Sequence, residues 1–393
     1  MARKFNKTND TGHDITELIL ASLEDRISEE YTKAEKEVSE TLEDYYARFK
    51  TKDEIKLKAL SEGLISQEEY NQWKYGQLCV GQRWEALKNT LALEITHTNQ
   101  IAKEIAYNTM PTIYALNFNY GTFQVEHSSG INTLFTLYNK DGISLLFDDE
   151  DKLYHDAGIK LSRKIALNKD LEWNKRNIQS IMTQSILQGE SIPERAKRLR
   201  ENAQNSFDAS DIKDANKKTA DQIAKEVAEK NRKASIRNAR TMTTYVENKG
   251  RENSYRRGQE LGLTGKKVWM ATLDGRTRHE HRVLNYQKVG LDEYFEVNGD
   301  KIFEPADPEA AAYLVYNCRC RLNYEYDGFE RKKYRKESYE GKTIEYKEDG
   351  ELVTMTYAEW LEAKPKSQRI TYQEDVGNAI RRAYIAEYRR LSK

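Results

Sequence analysis

The sequence predicts an α+β protein, mostly α-helical, with long N-terminal helices and a small β-containing domain toward the C-terminus. Three observations predict it. Apolar residues recur at mixed three- and four-residue spacing over Asp14–Lys50 (among them Ile15, Leu18, Leu23, Ile27, Tyr31, Val38 and Leu42), the period of an amphipathic helix. Helix-start signals of the Ser/Thr-x-x-Glu kind recur along the chain. Between Trp269 and Leu322 the helical pattern gives way to shorter stretches punctuated by Gly, Asp and Pro. At 393 residues the chain exceeds what one core ordinarily serves, and the segments expected are 1–180, 181–322 and 323–393.

Composition narrows the function classes. Charged residues make up 33% and hydrophobic residues 38%, which suits long solvated helices with modest cores. The formal net charge is zero, so no global field draws the protein to nucleic acid or to a membrane surface. Three cysteines (Cys79, Cys318, Cys320) cannot build a disulfide framework, and a reducing compartment is expected. Twenty-five Tyr stand against ten Phe, a balance that suits interfaces, where a ring can be buried while its hydroxyl stays wet. The opening residues lack an apolar signal core, and no stretch approaches the ~18 apolar residues of a membrane span. A soluble protein is the expectation.

Taken in order, the first helix carries eleven Asp/Glu against five Lys/Arg between Asp14 and Lys50, a solvated acidic face. Ser66 and Glu69 have capping-box spacing and predict a second helix. Met110-Pro111 then breaks the pattern, and the β-branched and aromatic residues from Ile113 to Tyr138, with Gly121 and Gly130, predict short extended pieces within a mixed interruption near 111–156. Asp148–Asp151 lacks the glycine and terminal glutamate of a calcium loop and is expected to be a solvated turn. Helix is expected again over Ile159–Leu187, followed by a Gly189 stop, a Ser191/Glu194 start and a helix over Pro193–Asn202.

A long helix is predicted from about Asp221 to Leu261, with Ile236, Ala239, Thr243, Val246 and Gly250 as its inward stripe. Small residues in that stripe imply a closely packed partner. Its eight Lys/Arg between Asn231 and Arg257 make either a solvated face or a phosphate-tracking surface, for which Arg237, Arg240, Arg256 and Arg257 are the candidates. Beyond Leu322, Lys342–Met355 reads as a β-hairpin turning at Asp349-Gly350. Two helices opened by Thr356/Glu359 and Thr371/Glu374 follow it.

The chemistry-bearing residues concentrate in Trp269–Leu322. On an extended strand Cys318 and Cys320 share a face while Arg319 and Arg321 point away. With His281 or His279, and Asp274 for an oxygen, they are candidate ligands of a mixed Cys/His zinc site, although C-x-C is tighter than the usual C-x2–4-C knuckle. The alternative is two buried thiols in a core. His279-Glu280-His281 has neither the H-E-x-x-H spacing of a zinc protease nor the H-x-E with P-C-x-x-C of a deaminase. Asp274, Arg276, Arg278 and His281 are expected to form a structural charge network rather than an active site, and no resident cofactor is expected.

The string Trp269-x-Ala271-x-x-Asp274-Gly275-Arg276-Thr277-Arg278-x-x-His281-x-x-Leu284, followed by Pro305, Pro308 and Asn317-Cys318-Arg319-Cys320-Arg321, resembles the phage head-morphogenesis domain typified by phage Mu protein F. The resemblance covers roughly Ser180 to Leu322. Three departures stand out: His279 stands where the family often has Pro, Asn285-Tyr286 replaces a turn that usually ends in Gly, and Val315-Tyr316 replaces a His-Pro pair. The resemblance implies a non-enzymatic minor capsid protein of a tailed bacteriophage, acting in procapsid assembly at the portal vertex. Implied partners are the portal protein, scaffold or major capsid protein, and packaged double-stranded DNA that it would contact or accompany on ejection. The implied location is the virion, inside the capsid near the portal, and the host cytoplasm during assembly. Alternatives are a toxin-type or metal-dependent enzyme carried on such a domain, and a DNA-binding protein.

Overall fold

The computed structural model describes residues 10–78, 82–129, 137, 167–186, 220–327, 342–346 and 352–362, with isolated positions 374, 377, 378 and 381. Its helices are α1 (Thr11–Ser61), α2 (Gln67–Leu78), α3 (Gln82–Tyr107), α4 (Met110–Ser129), α5 (Leu167–Ile186) and α6 (Ala220–Glu260). Then come β1 (Gly265–Met270), α7 (His279–Leu284), β2 (Lys288–Val289), β3 (Phe295–Val297), β4 (Asp300–Ile302), α8 (Ala312–Val315) and β5 (Arg321–Tyr326). A strand pair, β6 (Lys342–Tyr346) and β7 (Leu352–Thr356), leads into α9 (Tyr357–Glu362). The mostly helical α+β class is the one the sequence predicts.

Two compact units are assembled from discontinuous pieces: Met1–Arg26, Glu104–Lys164 and Ile236–Lys393 in one, Ile27–Lys103 and Ile165–Ser235 in the other. The second unit is a helical bundle whose core is Ala34, Val38 and Leu42 of α1, Leu87, Leu91 and Ile95 of α3, Ile178 and Ile181 of α5, and Ile223 and Val227 of α6. Several of its buried polar groups pair with one another: Tyr31 lies 2.5 Å from Asn99 Oδ1 and 2.7 Å from Ser235 Oγ, and Asn174 donates to Thr96 at 2.9 Å. Exposed pairs such as Lys36–Glu40 contribute ~0.2–0.5 kcal/mol each. A fully buried Leu or Ile contributes ~1.5–3 kcal/mol, so the apolar stripe, not the charged face, holds α1 in place. At the head of α2 the capping box is complete: Glu69 N donates to Ser66 Oγ (3.1 Å) and Ser66 N to Glu69 Oε2 (2.8 Å).

The first unit is centred on α4. Here the sequence-based expectation is corrected, because Ile113–Ser129 is helix and not extended pieces. Pro111 falls in the first turn, where a missing N–H has no intrahelical partner to lose. From Met110 to Glu126 every residue but Gln124 is buried, so the helix has no solvent face and shows no amphipathic period to read. Gly121 and Gly250 serve the contact between α4 and α6. A Cβ on Gly250 would stand 2.8 Å from the Tyr114 carbonyl oxygen and 3.0 Å from the Phe118 nitrogen, both backbone atoms of α4. This is the close partner that the small residues of the stripe imply.

Strand order in the main sheet is β2-β1-β5, antiparallel throughout, with Trp269 opposite Leu322 and Met270 opposite Arg321. β3 and β4 form a separate antiparallel pair. Tyr357 and Trp360 of α9 pack on Phe123 of α4, and Trp360 Nε1 donates to Glu126 at 2.6 Å. The hairpin turn at Asp349-Gly350, the Asp148–Asp151 turn, the Gln188–Asn202 junction and helix, and the Thr371 helix start lie outside the described residues, as does all but isolated positions of the last helix.

One buried ion pair joins these pieces. Asp10 caps α1, accepting from His13 N at 2.9 Å. Its carboxylate also receives both terminal nitrogens of Arg251 on α6 (2.6 and 2.8 Å) and Nε of Arg321 on β5 (3.1 Å). Arg251 is fully buried; its Nε donates to Asn117 of α4 at 3.1 Å. Burial opposes ionisation of Asp10, but the two guanidiniums outweigh it and hold the carboxyl well below its ordinary value.

Two outcomes follow from this packing. Gly250→Ala must push two backbones apart, and a loss of ~1–3 kcal/mol is expected, read as a lower urea midpoint with an unchanged m value. Asp10→Ala strands a buried guanidinium, and roughly 3–5 kcal/mol should be lost; pairing it with Arg251→Met should restore much of that in the same measurement.

Candidate functional site

The site begins on α6. Thr241, Thr244, Asn248 and Arg251 stand at helical spacing on one face, and each takes a backbone group of 317–322. Asn317 N donates to Thr241 Oγ1 at 3.2 Å, and Thr244 Oγ1 donates to the Cys318 carbonyl at 2.6 Å. Asn248 donates to the Cys320 carbonyl at 3.2 Å and accepts from Leu322 N at 2.6 Å. Arg251 reaches the Leu322 carbonyl at 3.5 Å. Just before β5 and at its first residues, side chains of a helix thus take backbone groups as a neighbouring strand would. Asn317 opens the stretch with φ 55, a left-handed conformation that Asn tolerates better than most residues.

From Cys318 to Tyr326 burial alternates with a period of two, so Cys318 and Cys320 point inward and Arg319 and Arg321 do not. Arg321 goes to Asp10. Arg319 goes to Asp274 as a two-pronged pair, at 2.6 and 2.8 Å. Asp274 also accepts from the Arg276 N–H (2.8 Å) and the Thr277 hydroxyl (3.2 Å), and Arg282 of α7 donates to its carbonyl at 2.5 Å. Arg319 is the main reason its carboxyl titrates well below the usual range. Asp274 therefore orders the turn that launches α7 and offers no oxygen to a metal. Gly275 and Arg276 sit exposed at that turn.

α7 buries His281 and Leu284 on one side and leaves His279 in solvent, so of the two histidines only His281 reaches the cysteines. His281 Nδ1 lies 3.1 Å from Cys320 Sγ and 3.6 Å from Cys318 Sγ. The Cys320 N–H approaches Cys318 Sγ at 3.4 Å. All three side chains are 2% exposed. The imidazole meets the Trp269 ring edge-on at 5.9 Å, and Trp269, fully buried on β1, in turn meets Phe295 at 5.2 Å. On the other side Arg278 donates to His281 Nε2 at 3.1 Å and to the Tyr316 carbonyl at 2.7 Å. Arginine can only donate, so the neutral ring carries its proton on Nδ1, facing the sulfurs.

Burial and the second sulfur push the Cys318 thiol well up. Burial acts on Cys320 in the same sense, but its contacts with Cys318, His281 and Trp269 outweigh it and hold that thiol well below the ordinary range. The three side chains border a pocket of about 80 Å³ whose other walls include Thr272, Arg276 and Asn317. Two sulfurs and an imidazole form a soft donor set. Their burial suits them to holding a small ligand rather than to attacking a large one.

The basic face of α6 is largely committed. Arg240 makes a two-pronged pair with Glu24 (2.7 and 2.9 Å), and Arg256 pairs with Glu252 (2.5 Å) and Asp292 (2.7 Å). Arg237, exposed, stacks over the Tyr316 ring at 5.4 Å, and Arg257 is half-buried.

Sequence reasoning passed over a second ionic cluster beside the first. Lys249 of α6 lies 2.5 Å from Glu252 and 3.5 Å from Glu304, and Lys267 of β1 donates to the Phe303 carbonyl at 3.0 Å. The available signal was parity: Lys267 shares the inward face of β1 with Trp269. Burial pushes Glu304 up to about 8 against the pull of Lys249, and pushes Lys267 down to about 8 against Glu252 and Glu304.

Residues 176–323 match the family of phage Mu protein F like proteins. This part of the chain is a phage Mu F-like domain. It contains α6, β1, β2, the start of β5, the Asp274 turn and the His281–Cys318–Cys320 cluster. The chain is also 26% identical over 251 residues to an NAD(+)--arginine ADP-ribosyltransferase EFV of Enterococcus faecalis (strain ATCC 700802 / V583). The match takes in 62% of this chain and spans less than half, 43%, of that relative. No solved structure matches the chain. Among the described residues no helix is long and apolar enough to cross a membrane. Where the resemblance leads one to expect a turn glycine, Tyr286 takes φ 64, a conformation that strains a side-chain-bearing residue.

The second cluster gives a pH signature. The folded value of Glu304 lies above its ordinary 4.5, so its contribution is complete below that pH and is lost as pH rises through about 8. Lys267 acts in the opposite sense, its contribution being complete above 10.5 and lost as pH falls through about 8. Between pH 4.5 and 8, then, Glu304 is the one of this pair that titrates. The melting temperature of the wild type should fall across that range by an amount absent from Glu304→Gln, checked by thermal melts of both proteins in matched buffers.

Proposed function

We propose that the protein is a minor capsid protein of a tailed bacteriophage that acts without catalysis, docking on the portal during assembly of the procapsid. The observation that carries this reading is the Mu F-like match over residues 176–323. The structure supports it in two ways. The motif residues Asp274, Arg319, Arg278 and Thr277 serve one another and the backbone, as a rigid platform requires. The same segment also leaves large apolar side chains in solvent: Leu273, Val283, Tyr286, Tyr294, Tyr313 and Tyr316 are each at least 41% exposed. Tyrosines that keep the hydroxyl wet while burying a ring suit protein interfaces.

On this reading the protein works in the host cytoplasm during assembly and is retained in the virion, with scaffold or major capsid protein as further contacts. Contact with packaged DNA is the weaker part of the proposal, since Arg240 and Arg256 are already paired with carboxylates. The partial match to an ADP-ribosyltransferase favours a second reading, in which the shared part is a module that also occurs joined to an enzyme.

One experiment separates the two. The purified chain should co-elute with the portal protein of its own phage, and Val283→Ser with Tyr286→Ser should weaken that complex at least tenfold while the thermal midpoint stays within a few degrees. The same preparation, incubated with labelled NAD and an arginine substrate, should transfer no label. Label transfer without portal binding would replace the first reading with the second.

A further inference from the structure

We propose that His281, Cys318 and Cys320 form a zinc site, with water from the adjoining pocket as the fourth ligand. The proposal is independent of the portal reading and stands on geometry. A tetrahedral zinc with Zn–S of about 2.3 Å and Zn–N of about 2.0–2.1 Å sets its N and S ligands about 3.6 Å apart and two sulfurs about 3.8 Å apart. Here Nδ1 lies 3.1 and 3.6 Å from the two sulfurs, and all three donor atoms fall within 4.8 Å of one another. The C-x-C spacing is no obstacle in this backbone, because the extended run from Cys318 turns both sulfurs to one face and the α6 side chains hold the two carbonyls that frame them. Two thiolates and an imidazole select zinc over magnesium or calcium, which take oxygen.

An orphan supports the assignment. The indole N–H of Trp269 is buried and makes no hydrogen bond of normal geometry, which is costly for a donor. A metal-bound thiolate is an acceptor that would employ it. The three protein donors border the pocket, which leaves the remaining coordination position toward it.

Zinc takes both sulfurs as thiolates, so whatever thiol proton they still carry leaves to solvent on binding. The imidazole stays neutral and moves its proton from Nδ1 to Nε2, so Arg278 must give up Nε2 and retain its bond to the Tyr316 carbonyl. Arg278 is only half-buried, so its side chain has room to do so.

The test uses the full chain with Cys79→Ser, which leaves Cys318 and Cys320 as its only thiols. Elemental analysis of protein purified without chelator should find about one zinc per chain, and exchange with cobalt(II) should give an intense thiolate-to-cobalt charge-transfer band with the visible spectrum of a tetrahedral ion. His279→Ala should keep both signals, whereas His281→Ala should lower zinc affinity at least tenfold. Folded protein, verified by circular dichroism, that carries no zinc and takes up neither ion from micromolar solution would overturn the assignment. So would a bound metal without the charge-transfer band, whether or not the histidine variants fold.

Discussion

Arg251 is the residue on which the first unit depends. A guanidinium with no exposure must find partners for nearly all its donors, and it finds them on pieces of chain that are far apart in sequence: Asp10 ahead of α1, Asn117 in α4, Glu247 one turn back on α6, and the Leu322 carbonyl of β5. Such a charge is tolerable only when its partners are all in position at once. The capping carboxylate of α1 is therefore also the counter-ion of the domain's central helix. His13 belongs to the same arrangement, because its Nδ1 lies 2.8 Å from Glu247, which raises its pKa against the effect of burial.

The burial of Arg251 is possible because α6 is approached so closely. Gly250 and Gly121 remove two side chains from its interface with α4, so the two helices meet closely there. Thr244 and Asn248, earlier on the same helix, bind the Cys318 and Cys320 carbonyls. One helix thus holds both the α4 contact and the backbone that carries the two sulfurs.

How much of this could be read in advance varies with the kind of signal. The Ser66/Glu69 box, the long α6 and the β6–β7 pair were legible because each is written within a few residues or in a sustained period. α4 was not, since a helix buried all round has no polar face to set its period, and Pro111 with its aromatic neighbours imitates a strand. In the site, the shared face of Cys318 and Cys320 follows from strand parity and was legible. The choice of His281 over His279 follows from which side of α7 packs on Trp269, a tertiary fact whose trace in the sequence is the motif string that places its histidine at 281. Asp10 is instructive because its signal was local: it stands three residues before His13, in capping position, but its partner lies 241 residues away.

The motif itself divides along the same line. Arg319 and Asp274 are spaced by 45 residues, yet each is useless without the other, since the carboxylate must organise the turn that starts α7 and the guanidinium must leave the face that the cysteines occupy. Alternation makes this obligatory: with Cys318 and Cys320 inward, residue 319 faces outward toward the turn. Asn317 supplies the left-handed step that brings the chain out of α8 into that register. An N-C-R-C string is therefore a statement about backbone direction before it is one about chemistry. Each of its letters has a separate physical duty, which is why so short a pattern, joined to D-G-R-T-R-x-x-H, marks this domain where neither half alone would.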